Sequence, residues 1–187
     1  PHVPVFISPG NHDPFSPESP YAAENWPENV IIFKGPRWES HAVKGGLLTV
    51  HGFGFDGPSL STNPFGTLTI EGESIHVAVA HGSERGHQPP DKSAYAPFDA
   101  RDAAPAGLSY LALGHFHSLT EIKGGAAPMY YSGAPEGHGF RETGPHYFIE
   151  VEIIGGEAHI TPVLASRIVY TPPSLPCAAL ASSQGLI

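Results

Sequence analysis

Three short segments of this chain share one layout, in which an apolar run ends abruptly in small, polar residues able to bind a metal. Val5-Phe6-Ile7 runs through Ser8-Pro9 into Gly10, Asn11, His12 and Asp13. Val77-Ala78-Val79-Ala80 runs into His81-Gly82, and Tyr110-Leu111-Ala112-Leu113 runs into Gly114-His115-Phe116-His117. Apolar runs this short read as strands. In an open α/β sheet the residues just beyond the strand ends lie along one edge, where ligands bind. Side by side, three such strands bring Asn11, His12, His81, His115 and His117 into one place.

The residue types suit that placement. Imidazole nitrogens and a carboxamide oxygen favour manganese, iron or zinc over calcium or magnesium. On an extended strand His115 and His117 share a face, whereas on a turn they can splay toward two different ions. Gly10 and Gly114 suit sharp or positive-φ turns, because glycine carries no Cβ. Asp13 is placed to hold the neighbouring His12 in one tautomer.

In their order and context, Gly10-Asn11-His12-Asp13, His81-Gly82 and Gly114-His115-Phe116-His117 resemble three of the five signature blocks of the calcineurin-like metallophosphoesterases. The resemblance implies that Asn11, His81 and His115 ligate one metal and His117 the other. His12 would touch the scissile phosphate, protonating the leaving oxygen or stabilising charge, with Asp13 orienting it. The cofactor would be two divalent ions, manganese first, with iron or zinc as alternatives. The reaction would be attack of a metal-bound hydroxide on a phosphodiester. The family's other two blocks, Asp-x-His and Gly-Asp-x-x-Asp, are not in this sequence. They are expected to precede Val3, in two βα units of about 60 residues or more. The implied fold is an α/β/β/α sandwich whose N-terminal βαβα portion is missing. With half the metal ligands absent, the chain as given is expected to be poorly active.

A narrower resemblance follows the third motif. Tyr131 to Glu136, Gly139 to Gly144 and Tyr147 to Glu152 are similar to the returning strands of DNA-repair exonucleases of the SbcD type. That likeness implies a DNA exo- or endonuclease, an ATPase partner of the SbcC type and a possible homodimer. A small-molecule phosphodiesterase or protein phosphatase on the same fold would use the same site. An inactive truncated chain or binding module is the remaining alternative.

Composition bounds these readings. With 187 residues, 40% of them hydrophobic, the chain can build one domain with a sizeable core. Residues 1–171 are expected to be the C-terminal two-thirds of the phosphoesterase domain, and residues 172–187 a tail or linker. The first residue is Pro1 rather than methionine, so the sequence is expected to begin inside a longer protein. No apolar run approaches the roughly 18 residues of a membrane span, and the opening residues do not resemble a secretory signal. The single cysteine, Cys177, suits a reducing, cytoplasmic setting. A formal net charge of −9 argues against a broad duplex-DNA surface on this piece.

Strands are expected over Val3–Ser8, Val30–Phe33, Leu47–Phe53, Ile75–Ala80, Tyr110–Leu113, Pro128–Ser132, Tyr147–Ile154 and His159–Leu164, with weak helical signal over Ser19–Asn25 and Ala100–Ala106. His2, His41, His51, His76, His87, His138, His146 and His159 lack motif context and are expected to be surface or strand residues. Of these, His87 is the best candidate to meet substrate, because it follows His81 closely. Arg141 is the best spare phosphate contact, since its guanidinium fork matches phosphate oxygens. Phe116, Trp26, Trp38, Tyr130 and Tyr131 read as packing positions.

Overall fold

The computed structural model describes residues 3–172. The expected tail, with Cys177, and His2 lie outside the described residues. Strands form at all eight apolar runs: β1 (Val5–Ile7), β2 (Val30–Ile32), β4 (Leu48–Gly52), β5 (Ile75–His81), β6 (Leu108–Gly114), β8 (Met129–Tyr131), β9 (Tyr147–Ile154) and β10 (Glu157–Leu164). Two further strands, β3 (Glu39–Val43) and β7 (Thr120–Ile122), were not expected from the sequence. Both occupy the outer edges of the central sheet, where one partner strand suffices to order a short polar stretch. Among the described residues α-helix is limited to two single turns, α1 (Pro20–Ala23) and α2 (Ala100–Ala103), with short 3-10 turns at Lys44–Gly46 and Phe65–Thr67.

The central sheet has the order β3-β4-β5-β6-β8-β7. Its inner pairs β4/β5, β5/β6 and β6/β8 are parallel, and its two edge pairs are antiparallel. The molecule is therefore mixed α/β around a six-stranded sheet, consistent with a metallophosphoesterase fold, but its flanking helices are scant. One face of the sheet carries Phe53, Ala78, Ala80, Leu111, Leu113, Met129 and Tyr131, which pack with Phe55, Phe65, Leu68 and Phe98 into the core. A polar chain lies within it: His51 and His76, both buried, share a 2.9 Å hydrogen bond between ring nitrogens. Ser40 and Ser74 extend the chain at 2.8 and 3.2 Å, so these two off-motif histidines are satisfied strand residues. His146 is buried too, and its Nδ1 lies 2.9 Å from the Ala134 carbonyl oxygen it bonds.

Strands β1 and β2 form a separate parallel pair, and β9 and β10 a separate antiparallel hairpin. Among the described residues β1 pairs with β2 alone. The β1–β2 pair docks on the central sheet through Phe33, which is fully buried. Gly52 makes this possible, because a Cβ there would fall 2.1 Å from the Phe33 ring. Trp38 packs edge-on against Phe53 and Phe65, as a core residue should. Trp26 does not: it stacks on Tyr21 at the surface and remains 39% exposed, because the chain around α1 has no sheet to pack against.

Candidate metal centre

The end of β1 is pinned to the end of β4. The Ser8 hydroxyl donates to the Phe53 carbonyl at 2.6 Å, and the Phe55 N–H donates to the Pro9 carbonyl at 3.0 Å. These bonds carry Gly10 and Asn11 over the C-terminal ends of β5 and β6. There His81 and Gly114 sit opposite each other in the parallel register. The three motif-bearing strand ends thus meet although they lie far apart in sequence.

At the meeting point His81 Nε2 is 2.8 Å from Asn11 Oδ1 and 3.3 Å from His115 Nδ1. Ligand atoms sharing one ion at roughly 2.1 Å stand about 3.0–3.4 Å from each other, by simple octahedral or tetrahedral geometry. The His81–His115 separation already has that spacing and the His81–Asn11 separation falls just below it, so this donor set is suited to a divalent ion. Asn11 is 8% exposed, so its carboxamide is held rather than free to swing.

The backbone supports the arrangement at His115, whose φ is 128°. Of the sharp or positive-φ turns expected at Gly10 and Gly114, the positive φ falls one residue after Gly114, on the imidazole-bearing residue itself. Non-glycine residues hold such conformations where the surroundings over-determine them, as functional sites do. Here the His115 ring is wedged among His81, Tyr95 and Phe116. Gly10 likewise has no positive φ, and its role is spatial, because the His81 ring lies directly over it.

Burial governs the protonation of the cluster. It pushes the His81 imidazole down to about 4, and the neighbouring His115 adds to the effect. His115 is also lowered from its ordinary 6.5, by burial first and then by His117 and His12. Both rings are therefore neutral near pH 7, the form that binds a cation.

The Nδ1 of His117 lies 2.7 Å from Glu142 Oε1. His138, read from sequence as a residue without site context, has its Nδ1 3.7 Å from Glu142 Oε2. Asn11, His12, His81, His115, His117 and His138 all line one cavity of 270 Å³. His12 is exposed on its rim. Among the described residues Asp13 makes no side-chain hydrogen bond to His12 and bonds two other groups. Its Oδ1 accepts the Gly10 N–H at 3.0 Å, and its Oδ2 accepts the Tyr21 hydroxyl. It thereby closes its own turn.

The two substrate candidates are placed differently. The His87 ring pairs with Glu84 at 2.7 Å and is not among the residues that line the two cavities holding the cluster. Its neighbour Gln88, together with Asp91, Lys92, Ser93 and Tyr95, lines a 440 Å³ cavity that also contains Asn11, His12 and His115. Sequence reasoning missed these loop residues, which follow no periodicity or motif. Arg141 is exposed, forms no ion pair among the described residues, and borders a 300 Å³ recess with His138 and Phe140. Phe116 packs on Tyr131 with ring centres 4.8 Å apart, a packing contact as expected.

Strand ends gather an amide oxygen and two neutral imidazoles around one opening, a class of site suited to a divalent cation and consistent with a metallophosphoesterase. Two relatives support that class. Over 162 residues, 83% of this chain, it is 27% identical to an uncharacterised metallophosphoesterase, YhaO, of Bacillus subtilis (strain 168). Over 83 residues, 44% of this chain, it is 33% identical to the D chain of the nuclease SbcCD from the same organism. The chain spans 38% of the length of the first relative and 21% of the second. No protein-family profile matches it. The resemblance to calcineurin-like metallophosphoesterases, with kinship to the SbcD type suspected, therefore rests on fold, motif order and sequence similarity together.

Proposed function

We propose that this chain carries part of the centre of a metal-dependent phosphoester hydrolase, a DNA exo- or endonuclease of the SbcD type. The observation that carries the reading is the convergence of Asn11 Oδ1, His81 Nε2 and His115 Nδ1 at ligand spacing, in the cavity that also contains His12 and His117. Asn11, His81 and His115 hold one ion and His117 contributes to the other. The donor set of imidazoles and an amide oxygen favours manganese, with iron or zinc behind it. When bound, such an ion pair lowers the pKa of a water and clamps the phosphate oxygens of an in-line displacement.

The chain's own side chains do the rest. His12, exposed on the rim, gives a proton to the leaving oxygen or stabilises its charge. Lys92, on the wall of the larger cavity, meets a neighbouring phosphate, and Tyr95 offers a ring face to the group attached to it. In the intact protein the substrate is DNA, the partner is an ATPase of the SbcC type, and a homodimer and a cytoplasmic location go with that assignment. No helix among the described residues is long and apolar enough to cross a membrane. A small-molecule phosphodiesterase or phosphatase is the rival on the same site, favoured by the net charge of −9.

Manganese titration of this chain beside a His81→Ala variant tests the centre. Loss of a site in the variant supports it, and unchanged binding overturns it. Linear DNA against a small chromogenic diester, offered to the full-length protein, tests the substrate. A marked preference for the small diester would move the assignment to the rival.

A further inference from the structure

We infer that Ser40, His51 and His76 form a second centre, independent of metal, in which the Ser40 hydroxyl is a nucleophile toward small carboxylic esters. Ser40 and His51 stand opposite each other across the antiparallel β3/β4 pair, and the Ser40 Oγ lies 2.8 Å from His51 Nδ1. His51 Nε2 is 2.9 Å from His76 Nδ1. His76 Nε2 is 3.2 Å from the Ser74 hydroxyl, which stands 2.9 Å from Thr49 Oγ1. Donation in one direction satisfies every group: Ser40 to His51, His51 to His76, His76 to Ser74 and Ser74 to Thr49. A hydroxyl, an imidazole that accepts its proton and a third group that fixes that imidazole's tautomer are the parts of an activated nucleophile.

The outer end of the chain opens onto a binding space. His51 and His76 are 4% and 3% exposed, whereas Ser40 is exposed and lines a 490 Å³ cavity. The reacting atom thus meets solvent while its base is shielded. Burial, and then the neighbouring His76, holds His51 below its ordinary 6.5, so the ring is neutral near pH 7 and able to take a proton. The cavity also carries donors for a developing oxyanion. Arg37 on its wall forms no ion pair among the described residues. Asn63 accepts the Phe65 N–H through Oδ1 at 3.0 Å, which leaves its Nδ2 for a ligand. Trp38 and Leu68 supply apolar wall for an acyl group. His76 and His81 lie at opposite ends of β5, about 16 Å apart at the usual strand rise, so this centre is separate from the metal cluster.

In the first half of the reaction Ser40 Oγ attacks the ester carbonyl carbon, and its proton passes to His51 Nδ1. The bond to the alcohol oxygen breaks, and the alcohol leaves with that proton. Water then attacks the acyl group on Ser40 and gives a proton to His51, which returns it to Ser40 Oγ as the acyl–oxygen bond breaks. His76 is a positioning residue, because it holds the His51 ring and touches no reacting atom.

A chain that only satisfies two buried imidazoles would leave Ser40 as inert as any exposed serine. The probe is a fluorophosphonate with a small alkyl group, added to the full chain with a chelator and followed by mass spectrometry. Its phosphorus bonds the attacking serine oxygen as fluoride leaves. Ser40 should be labelled at least tenfold faster than Ser59, which is exposed and bonds no histidine among the described residues. His51→Gln should slow labelling at least tenfold, and His76→Gln should slow it as well. Ser40→Ala should lose the adduct and at least tenfold of the hydrolysis of a chromogenic acetate ester. Equal labelling of Ser40 and Ser59 in the wild type overturns the proposal without any variant. So does undiminished labelling in a His51→Gln chain shown by circular dichroism to be folded, or undiminished ester hydrolysis in Ser40→Ala.

Discussion

Gly10 lies directly beneath the imidazole of His81, so that a Cβ at position 10 would fall 2.5 Å from both Cε1 and Nδ1 of the ring. No side chain of any size fits there without moving the histidine away from Asn11. Gly10→Ala should therefore weaken manganese binding at the Asn11–His81–His115 cluster at least tenfold. Overpacking of this kind also costs about 1–3 kcal/mol of stability. Calorimetric titration and a urea melt check both, and wild-type affinity in the variant would show that the ring can move freely.

Tyr131 ties the loop after His81 to the sheet. Its buried hydroxyl donates to the Gly82 carbonyl at 2.6 Å and accepts the Glu84 N–H at 3.0 Å. Tyr131→Phe leaves both backbone groups buried and unpaired, at a cost of about 1–3 kcal/mol. Hydrogen exchange at Glu84 should quicken while the amides of β4 stay protected. Equal protection of the Glu84 amide in the variant would mean that water replaces the hydroxyl.

What the sequence made legible followed a physical rule: a buried strand needs apolar side chains, and a ligand needs a donor. Where the two abut, as at Ala80-His81 and Leu113-Gly114-His115, both strand and site could be read. Elements ordered by a neighbour were not readable. In β3 the sequence Glu39-Ser40-His41-Ala42-Val43 has little apolar content of its own, and pairing with β4 makes it a strand. Glu142 lies 25 positions from His117 and meets it only because the chain turns back after β8. Gln88, Lys92 and Tyr95 line a cavity through loop geometry, which carries no sequence period. Adjacency suggested that Asp13 serves His12, whereas its carboxylate accepts the Gly10 N–H, a contact that follows from the turn rather than from the spacing.

That contact gives Asp13 a structural signature that a separate experiment can read. Asp13→Ala removes the acceptor of the Gly10 N–H and of the Tyr21 hydroxyl, and should destabilise the chain by about 1–2 kcal/mol. Asp13→Asn keeps an oxygen for the Gly10 amide and should recover most of that loss. If Asp13 instead served only to orient His12, both variants would melt like the wild type.

Acid should destabilise the metal-free chain for a reason tied to its buried histidines. Burial holds His81 at about 4, and holds His115 and His51 below their ordinary 6.5. His115 adds to the shift of His81, and His76 to that of His51. In the unfolded chain these imidazoles take up protons as the pH falls through 6.5, whereas in the folded chain they resist. The unfolded state thus binds more protons between about 4 and 6.5, so stability rises with pH through that window and is level above it. Each unit of pKa difference corresponds to about 1.4 kcal/mol once fully developed. Urea midpoints in the presence of a chelator should therefore fall between about pH 7 and about pH 5. Saturating manganese should delay the fall, because a cation competes with the proton for the same nitrogens. His81→Leu should flatten the metal-free curve, and a wild-type midpoint that does not move with pH would contradict the burial of these rings.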